Sequence, residues 1–432
     1  MRARFRMFAV LLVVAAIAPT APAAAQPQAS PHRSQPPGGV MIGGAIQPRP
    51  GGTEQEAVVS LESAIGRRLA AVRVWRTWDG NFPSRYDRWL RDGGRAVFLA
   101  VKPVRANGRP IPWRQLANAP AGSTLHREMV AWAQRVRSHG AKVYLTFHHE
   151  PEVTAPHGYG SSADFVAAWR RFVGTFRAQG VTNVEWVWNM VDSSFSDSSW
   201  RNAALWYPGD AWVDAIGGDG YNWDGCNRRG AATRWRSFDE IFLGLRLFGM
   251  AHPTKPLVIP ELGSVEDPGR PGRKAAWLAD AQAAIAAPRW SQLRAVLYFD
   301  RADTAPPKHC RWQVRTSDSS LRAFRALAAG PRFRATAIGR RLAAASLGGQ
   351  VLDDAGRRVA GATIQVLDPA SGRQVVQVAS GPRGRYLVPV RPGRYDVRVW
   401  APARMALAPR AVGGKVVAGA ATLDLRLPRR RR

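Results

Sequence analysis

Two glutamates stand where apolar strands give way to loops. Glu150 closes the run KVYLTFHHEPE, Lys142 to Glu152, in which Val143-Tyr144-Leu145-Thr146-Phe147 reads as a buried strand. Pro151 has no N–H to donate to a ladder, so the strand should stop before it. Glu261 has the same setting, following Pro256-Leu257-Val258-Ile259-Pro260 and preceding Leu262-Gly263. Two carboxylates on one rim are what hydrolysis of a glycosidic bond requires. One protonates the leaving oxygen, and the other attacks the sugar carbon or activates a water. A separation of about 5 to 5.5 Å goes with retained configuration, and a wider gap with inversion. No metal or organic cofactor is needed for this chemistry.

The neighbouring side chains sort by what they could do. His149, next to the acid, is expected to hydrogen-bond in the site, whereas His148 points to the other side of the strand and reads as structural. A zinc site from His148, His149, His157 and Glu150 fails for the same reason, since adjacent strand residues project oppositely. Trp75, Trp78, Trp188 and Trp223 lie at or near predicted strand ends, where sugar faces stack on such rings. Glu152, Asp192 and Asp300 are weaker candidates of the same kind.

The frame for these residues follows from alternation. Strands are predicted at 40–46, 69–78, 95–102, 143–147, 184–190, 213–221, 257–263 and 294–300. Helical spacing falls between them at 53–68, 84–92, 124–139, 162–179, 238–250 and 273–286, with a last helix at 319–329. In the helix from Ser162, capped by Ser161 or Ser162, Phe165, Trp169, Phe172 and Phe176 share the core face. Eight strands alternating with helices is the period of a closed (β/α)8 TIM barrel, in the α/β class. A doubly wound open sheet competes, but no glycine-rich turn follows the first strand in the form a dinucleotide site needs.

The chain outside 38–329 has a different texture. Arg2, Arg4 and Arg6 precede an apolar run from Met7 to Ala18 and the small residues Ala23-Ala24-Ala25. That is the pattern of a signal peptide over 1–25, cleaved near Ala25, and it predicts a secreted or periplasmic protein with no transmembrane segment. Residues 26–37 read as a flexible leader and 330–345 as a linker. From 346 to 428, short alternating segments punctuated by glycine and proline predict a small all-β sandwich. The two cysteines, Cys226 and Cys310, follow strands of one domain, so in an oxidising compartment they are expected to pair.

With 432 residues, 46% of them hydrophobic, and 17 tryptophans, the chain is a packed globular protein. The net charge of +31 comes from arginines spread along the whole sequence. No nucleic-acid-binding motif accompanies them, so they read as a solvated surface open to contact with anionic cell-surface groups. A monomer is expected.

The barrel region, about 40–325, resembles glycoside hydrolase family 26, whose characteristic activity is endo-β-mannan hydrolysis. The resemblance is carried by His149-Glu150, by Pro260-Glu261-Leu262-Gly263-Ser264, and by Tyr207-Pro208-Gly209-Asp210-Ala211-Trp212-Val213-Asp214 leading into Asp219-Gly220-Tyr221. It implies a retaining reaction with Glu150 as acid/base and Glu261 as nucleophile. It also implies that Tyr221 hydrogen-bonds Glu261 and that Asp219 helps organise the sugar. β-1,4-Mannan is the implied substrate, with β-glucan or xylan behind it. A non-hydrolytic carbohydrate-binding envelope protein is the rival from another class. Two departures touch sugar-binding positions: Pro151-Glu152-Val153 replaces the family's Met-Asn-Gly, and Tyr298-Phe299-Asp300 stands where a tryptophan is usual. The C-terminal segment resembles carboxypeptidase-regulatory-like (transthyretin-like) modules through Gly349-x-Val351-x-Asp353-x-x-Gly356, Val359-x-Gly361-Ala362, Gly384-x-Tyr386 and Pro392-Gly393-x-Tyr395. That likeness implies a structural or binding role for it.

Overall fold

The structure, a computed structural model, describes residues 38–226, 234–304, 308–339, 345–417 and 419–429. The expected signal peptide and leader lie outside the described residues. Eight parallel strands close into a barrel: β1 (Met41–Ile46), β2 (Ala71–Thr77), β3 (Ala96–Lys102), β4 (Val143–Phe147), β5 (Val184–Val191), β6 (Ala215–Asn222), β7 (Leu257–Ser264) and β8 (Leu293–Asp300), with β8 pairing back to β1. The (β/α)8 barrel expected from alternation is the observed fold.

The helices, in chain order, are α1 (Glu54–Ile65), α2 (Arg85–Asp92), the short α3 (Trp113–Ala117), α4 (Thr124–Ser138), the single turn α5 (Pro151–Thr154), α6 (Ser162–Ala178), the single turn α7 (Ala203–Trp206), α8 (Phe238–Ala251), α9 (Arg273–Ala286) and α10 (Asp318–Ala329). Local chemistry explains where several begin. Thr53, Ser84, Ser161 and Ser237 each accept from the backbone N–H three residues on, and an acidic side chain there answers each cap. Phe165, Trp169, Phe172 and Phe176 of α6 are all buried against the barrel.

The barrel interior is filled at its N-terminal end by Met41, Ala71, Phe98, Tyr144, Val187, Ala215, Val258 and Ala295. Ile338 belongs to the same cluster, and its N–H donates to the Tyr144 hydroxyl at 3.0 Å. The stretch 331–339 therefore closes the bottom of the barrel, which corrects its reading as part of a loose linker. Arg332 and Phe333 anchor it, the guanidinium donating to the Ile285 carbonyl at 2.6 Å. An arginine-rich segment looked unpatterned because the contacts of Arg332 are carbonyls at the end of α9, in the turn after it and at the start of β8, which have no sequence period.

After β8 come a two-stranded hairpin, β9 (Ala302–Asp303) with β10 (Cys310–Arg311), and then the sandwich. One sheet of the sandwich holds β11 (Ala345–Asp353), β14 (Arg385–Val390), β17 (Ala420–Thr422) and β18 (Leu425–Leu427). The other holds β12 (Thr363–Leu367), β13 (Gln374–Ala379), β15 (Gly393–Trp400) and β16 (Arg410–Val417). Strand β16 contains Gly413-Gly414, and the register shift opposite them, between Tyr395 and Val397, absorbs Gly414 at φ +64°. Helix α8 serves both bodies. Phe238, Ile241, Phe242 and Leu245 enter the barrel core, while Leu247, Leu243 and Met250 enter the sandwich core. Arg246 bridges to Asp368 of the sandwich at 2.7 Å, with both side chains buried.

Candidate active site

Parallel strands place all eight C-terminal ends on one rim, and the candidate residues sit there. Glu150 is reached by a sharper turn than the sequence implied. Strand β4 ends at Phe147, and both His148 (φ 51°) and Glu150 (φ 49°) take the left-handed conformation that non-glycine residues rarely adopt. Pairing persists through the turn: the His148 N–H donates to the Val101 carbonyl at 2.8 Å and the Glu150 N–H to the Asn189 carbonyl at 3.1 Å. Glu261 is re-aimed by a different device. Residues 260 and 261 fall where β7 loses register with both neighbours, a bulge that suits a proline without an N–H.

Carboxylate oxygens of Glu150, Glu261 and Asp219 all lie within 4.8 Å of one another. Tyr221 donates its hydroxyl to Glu261 Oε2 at 2.6 Å, and the Arg73 guanidinium meets Glu261 Oε1 at 3.5 Å. Asn189 donates its amide to Asp219. Gly217 makes room for that amide, since a Cβ at 217 would lie 2.7 Å from Asn189 Oδ1. Gly263 likewise admits Tyr221, whose ring a Cβ at 263 would meet at 3.0 Å.

Crowding of acids sets their protonation. Burial first, then the charges of Glu261 and Glu152, push Glu150 up to about 8. Burial and then Glu261 hold Asp219 well above the ordinary carboxylate range. The Tyr221 phenol is raised by burial and then by Glu261, so it remains a donor. Both imidazoles are held well below their ordinary range: His149 by burial, Arg73 and Lys102, and His148 by burial, His149 and Lys102.

Each predicted residue has a definite place. His149 is half-buried beside Trp75, with ring centroids 6.4 Å apart and its buried Nδ1 without a protein partner among the described residues. His148 is locked in the core, accepting from Trp113 Nε1 at 3.0 Å and lying 2.8 Å from Thr154 Oγ1. Trp75 faces the mouth with Phe299 edge-on at 6.2 Å, and Trp223 packs on Tyr221 and Trp312. Trp78 and Trp188 are corrections: both are fully buried and cannot touch a sugar. Trp78 points under α4, where its Nε1 bonds Glu128 at 2.8 Å. Trp188 lies against Phe195, Tyr207 and Phe248, because Val187 and Asn189 take the inward positions of β5.

Glu152, Asp192 and Asp300 are structural. Glu152 accepts from the Val191 N–H and Ser194 Oγ, Asp192 pairs with Arg236 at 2.7 Å, and Asp300 accepts from the Val314 N–H. Cys226 and Cys310 form the expected disulfide, with Cα atoms 5.0 Å apart. It ties the loop after β6, which carries Trp223, to the hairpin after β8.

Arg73 and Asn189 were not picked out from the sequence. Their signal was one polar residue inside an apolar strand, Ala-Val-Arg-Val-Trp and Trp-Val-Trp-Asn-Met. The carboxylate trio is also the one grouping among the described residues with the donors and spacing of a cation site. Arg73 supplies one positive charge to this group, at Glu261.

Fold and site define a (β/α)8 barrel with a close carboxylate pair at its C-terminal mouth, the arrangement on which glycoside hydrolysis is built. The family model Glycosyl hydrolase family 26 matches residues 155–259, a stretch that holds Asp219 and Tyr221 and stops two residues short of Glu261. The model Carboxypeptidase regulatory-like domain matches residues 346–427. The barrel thus resembles glycoside hydrolase family 26 and the sandwich resembles the regulatory-like module, as their motifs implied.

Among curated proteins, Endoglucanase H of Acetivibrio thermocellus is 28% identical over 303 residues. The alignment covers 68% of this chain and 31% of that protein, so the chain matches less than a third of the relative's length. Among solved structures, a Cellulomonas fimi endo-β-1,4-mannanase double mutant is 18% identical, with 89% of this chain and 94% of that chain covered and a TM-score of 0.47. A GH26 β-mannanase from Bacteroides ovatus is 17% identical, with 68% and 89% covered and a TM-score of 0.47.

Proposed function

We propose that this protein is a secreted, retaining glycoside hydrolase that cleaves a β-1,4-linked polysaccharide. Glu150 is the acid/base and Glu261 the nucleophile. The observation that carries the reading is the approach of their carboxylate oxygens to within 4.8 Å, on the short side of the two glycosidase geometries. A carboxyl held up to about 8 keeps the proton that the leaving oxygen must receive. Glu261, facing Arg73 and the Tyr221 hydroxyl, is stabilised as the anion that attacks. When the glycosyl–Glu261 bond forms, that negative charge disappears, Glu150 becomes more acidic, and it can then deprotonate the water that releases the sugar. Asp219, held by Asn189, and His149, half-buried beside Trp75, stand next to the two glutamates and orient the ring. Trp75 and Trp223 offer it apolar faces.

The motifs put β-1,4-mannan first, and the relative named an endoglucanase puts β-glucan beside it, with xylan third. The test is a reducing-sugar assay on the three polymers with wild type, Glu150→Gln and Glu261→Ala. Loss of nearly all signal in both variants is expected, with azide restoring bond cleavage to Glu261→Ala and yielding a glycosyl azide of inverted configuration. Equal signal from all three proteins would end the hydrolase reading.

A further inference from the structure

Arg301 stands over the mouth. Its guanidinium lies 5.7 Å from the Trp75 ring centre and 5.9 Å from that of Phe299, and it donates to the Ile46 carbonyl at 3.3 Å. Ile46, Asp300 and Ala302, the groups immediately around it, also line a cavity of about 1410 Å³ that opens beside the mouth and does not include Glu150 or Glu261. Arg49, Arg311 and Arg315 line that cavity as well. Every aspartate and glutamate of the chain lies among the described residues, yet none of these four arginines pairs with one.

The acids of the same cavity are largely occupied. Glu266 accepts from the hydroxyls of Thr316, Ser317 and Ser320; Glu56 closes the Thr53 cap; and buried Asp300 accepts from the Val314 N–H. Asp224 is the remaining acid of the lining, which carries the three guanidinium groups of Arg49, Arg311 and Arg315; Arg315 donates to Ser60 Oγ at 3.0 Å. On the other side of the mouth Lys102, half-buried at the end of β3, makes no ion pair among the described residues; the charge that acts on it is Glu150.

We propose that this cavity, together with Arg301 between its lining residues Asp300 and Ala302, binds anionic substituents of the polysaccharide, carboxylate or sulfate groups carried on sugars next to the cleaved bond. The inference rests on the hydrolase reading for its polymer and adds the charge of that polymer. A guanidinium presents paired N–H donors that match a carboxylate or a sulfate, and one stacked on an aromatic beside a sugar site is held ready for such a group.

The test is isothermal titration of the full-length protein at about 0.15 M salt, where long-range attraction to the basic surface is screened. The probes are a β-linked oligosaccharide bearing uronate groups, its carboxyl-reduced counterpart and a sulfated counterpart, with product formation followed in the same samples. Wild type is expected to bind at least one charged probe about tenfold more tightly than the neutral one. Arg301→Gln and Arg311→Gln should bring that ratio towards one, whereas Arg398→Gln, on the exposed face of the sandwich, should leave it unchanged. The charged probe that binds more tightly names the substituent. Equal affinity for charged and neutral probes overturns the proposal, and so does an equal loss in Arg398→Gln. Cleavage of neutral probes without charge preference would sink this inference alone; a charge preference without cleavage of any probe would sink the hydrolase reading alone.

Discussion

Replacing Glu261 by glutamine should lower the pKa of Glu150. Burial is the first cause of the upward shift to about 8 and the charge of Glu261 is the second. Unit charges 4.8 Å apart, the limit within which the carboxylate oxygens lie, repel by about 3.5 kcal/mol at an effective dielectric of ~20, or roughly 2.5 pKa units. Arg73, opposite Glu261, offsets part of this, so a fall of about 1 to 2 units is expected. The assay is a pH titration of the Glu150 carboxyl carbon by NMR in wild type and Glu261→Gln. In wild type the same group should set the alkaline limb of kcat/KM near pH 8, because the acid must be protonated in the free enzyme. An unchanged midpoint in the variant would refute the reasoning, because burial alone would then hold the proton. Stability follows the same sign. A carboxyl whose folded pKa is raised stabilises fully below its unfolded value and loses that contribution as pH rises through about 8. Glu150→Gln should therefore raise Tm at pH 9 and leave it nearly unchanged at pH 4.

Tyr221→Phe removes the 2.6 Å hydrogen bond to Glu261, and kcat on the best polymer should fall about 10- to 100-fold with little change in KM. Cys226→Ser with Cys310→Ser releases the tie between the loops after β6 and β8. Denaturant unfolding should show a loss of about 2 to 5 kcal/mol. Arg246→Ala strands buried Asp368 at the barrel–sandwich junction, leaving it the Ser371 hydroxyl and the Ala370 N–H but no counter-charge, and should cost about 3 kcal/mol by the same measurement. Gly217→Ala drives a Cβ against Asn189 Oδ1 and should lower both stability, by about 1 to 3 kcal/mol, and kcat; unchanged activity would show that Asn189 does not hold Asp219 for the reaction.

The aromatic residues show where local reading stopped. Trp75 and Trp78 are three apart on one predicted strand and looked equivalent, yet Arg73 and Trp75 share the inward face while Trp78 lies beyond the end of β2, against α4. On β5 the polar outlier Asn189 marked the inward face and, by alternation, assigned Trp188 to the outside; that parity was available in the sequence and decided correctly once the strand was seen. His148 was expected to alternate on the strand and Glu150 to stand where the strand meets its loop, and nothing in their types announces two left-handed residues in three.

The sequence by itself determined the order of strands and helices, the rim on which both glutamates fall, the all-β texture of the C-terminal module and the two cysteines available to pair. Each of these depends on periodicity, turn chemistry or count, which neighbouring residues settle among themselves. Only the tertiary structure decided the 4.8 Å limit on the separation of the acids, the burial that keeps Glu150 protonated, the convergence of Arg73, Asn189 and Tyr221 from three strands, and the use of 331–339 as the floor of the barrel. Those depend on barrel closure and on bulges that shift register, so they are properties of strands far apart in the chain and leave no local period to read.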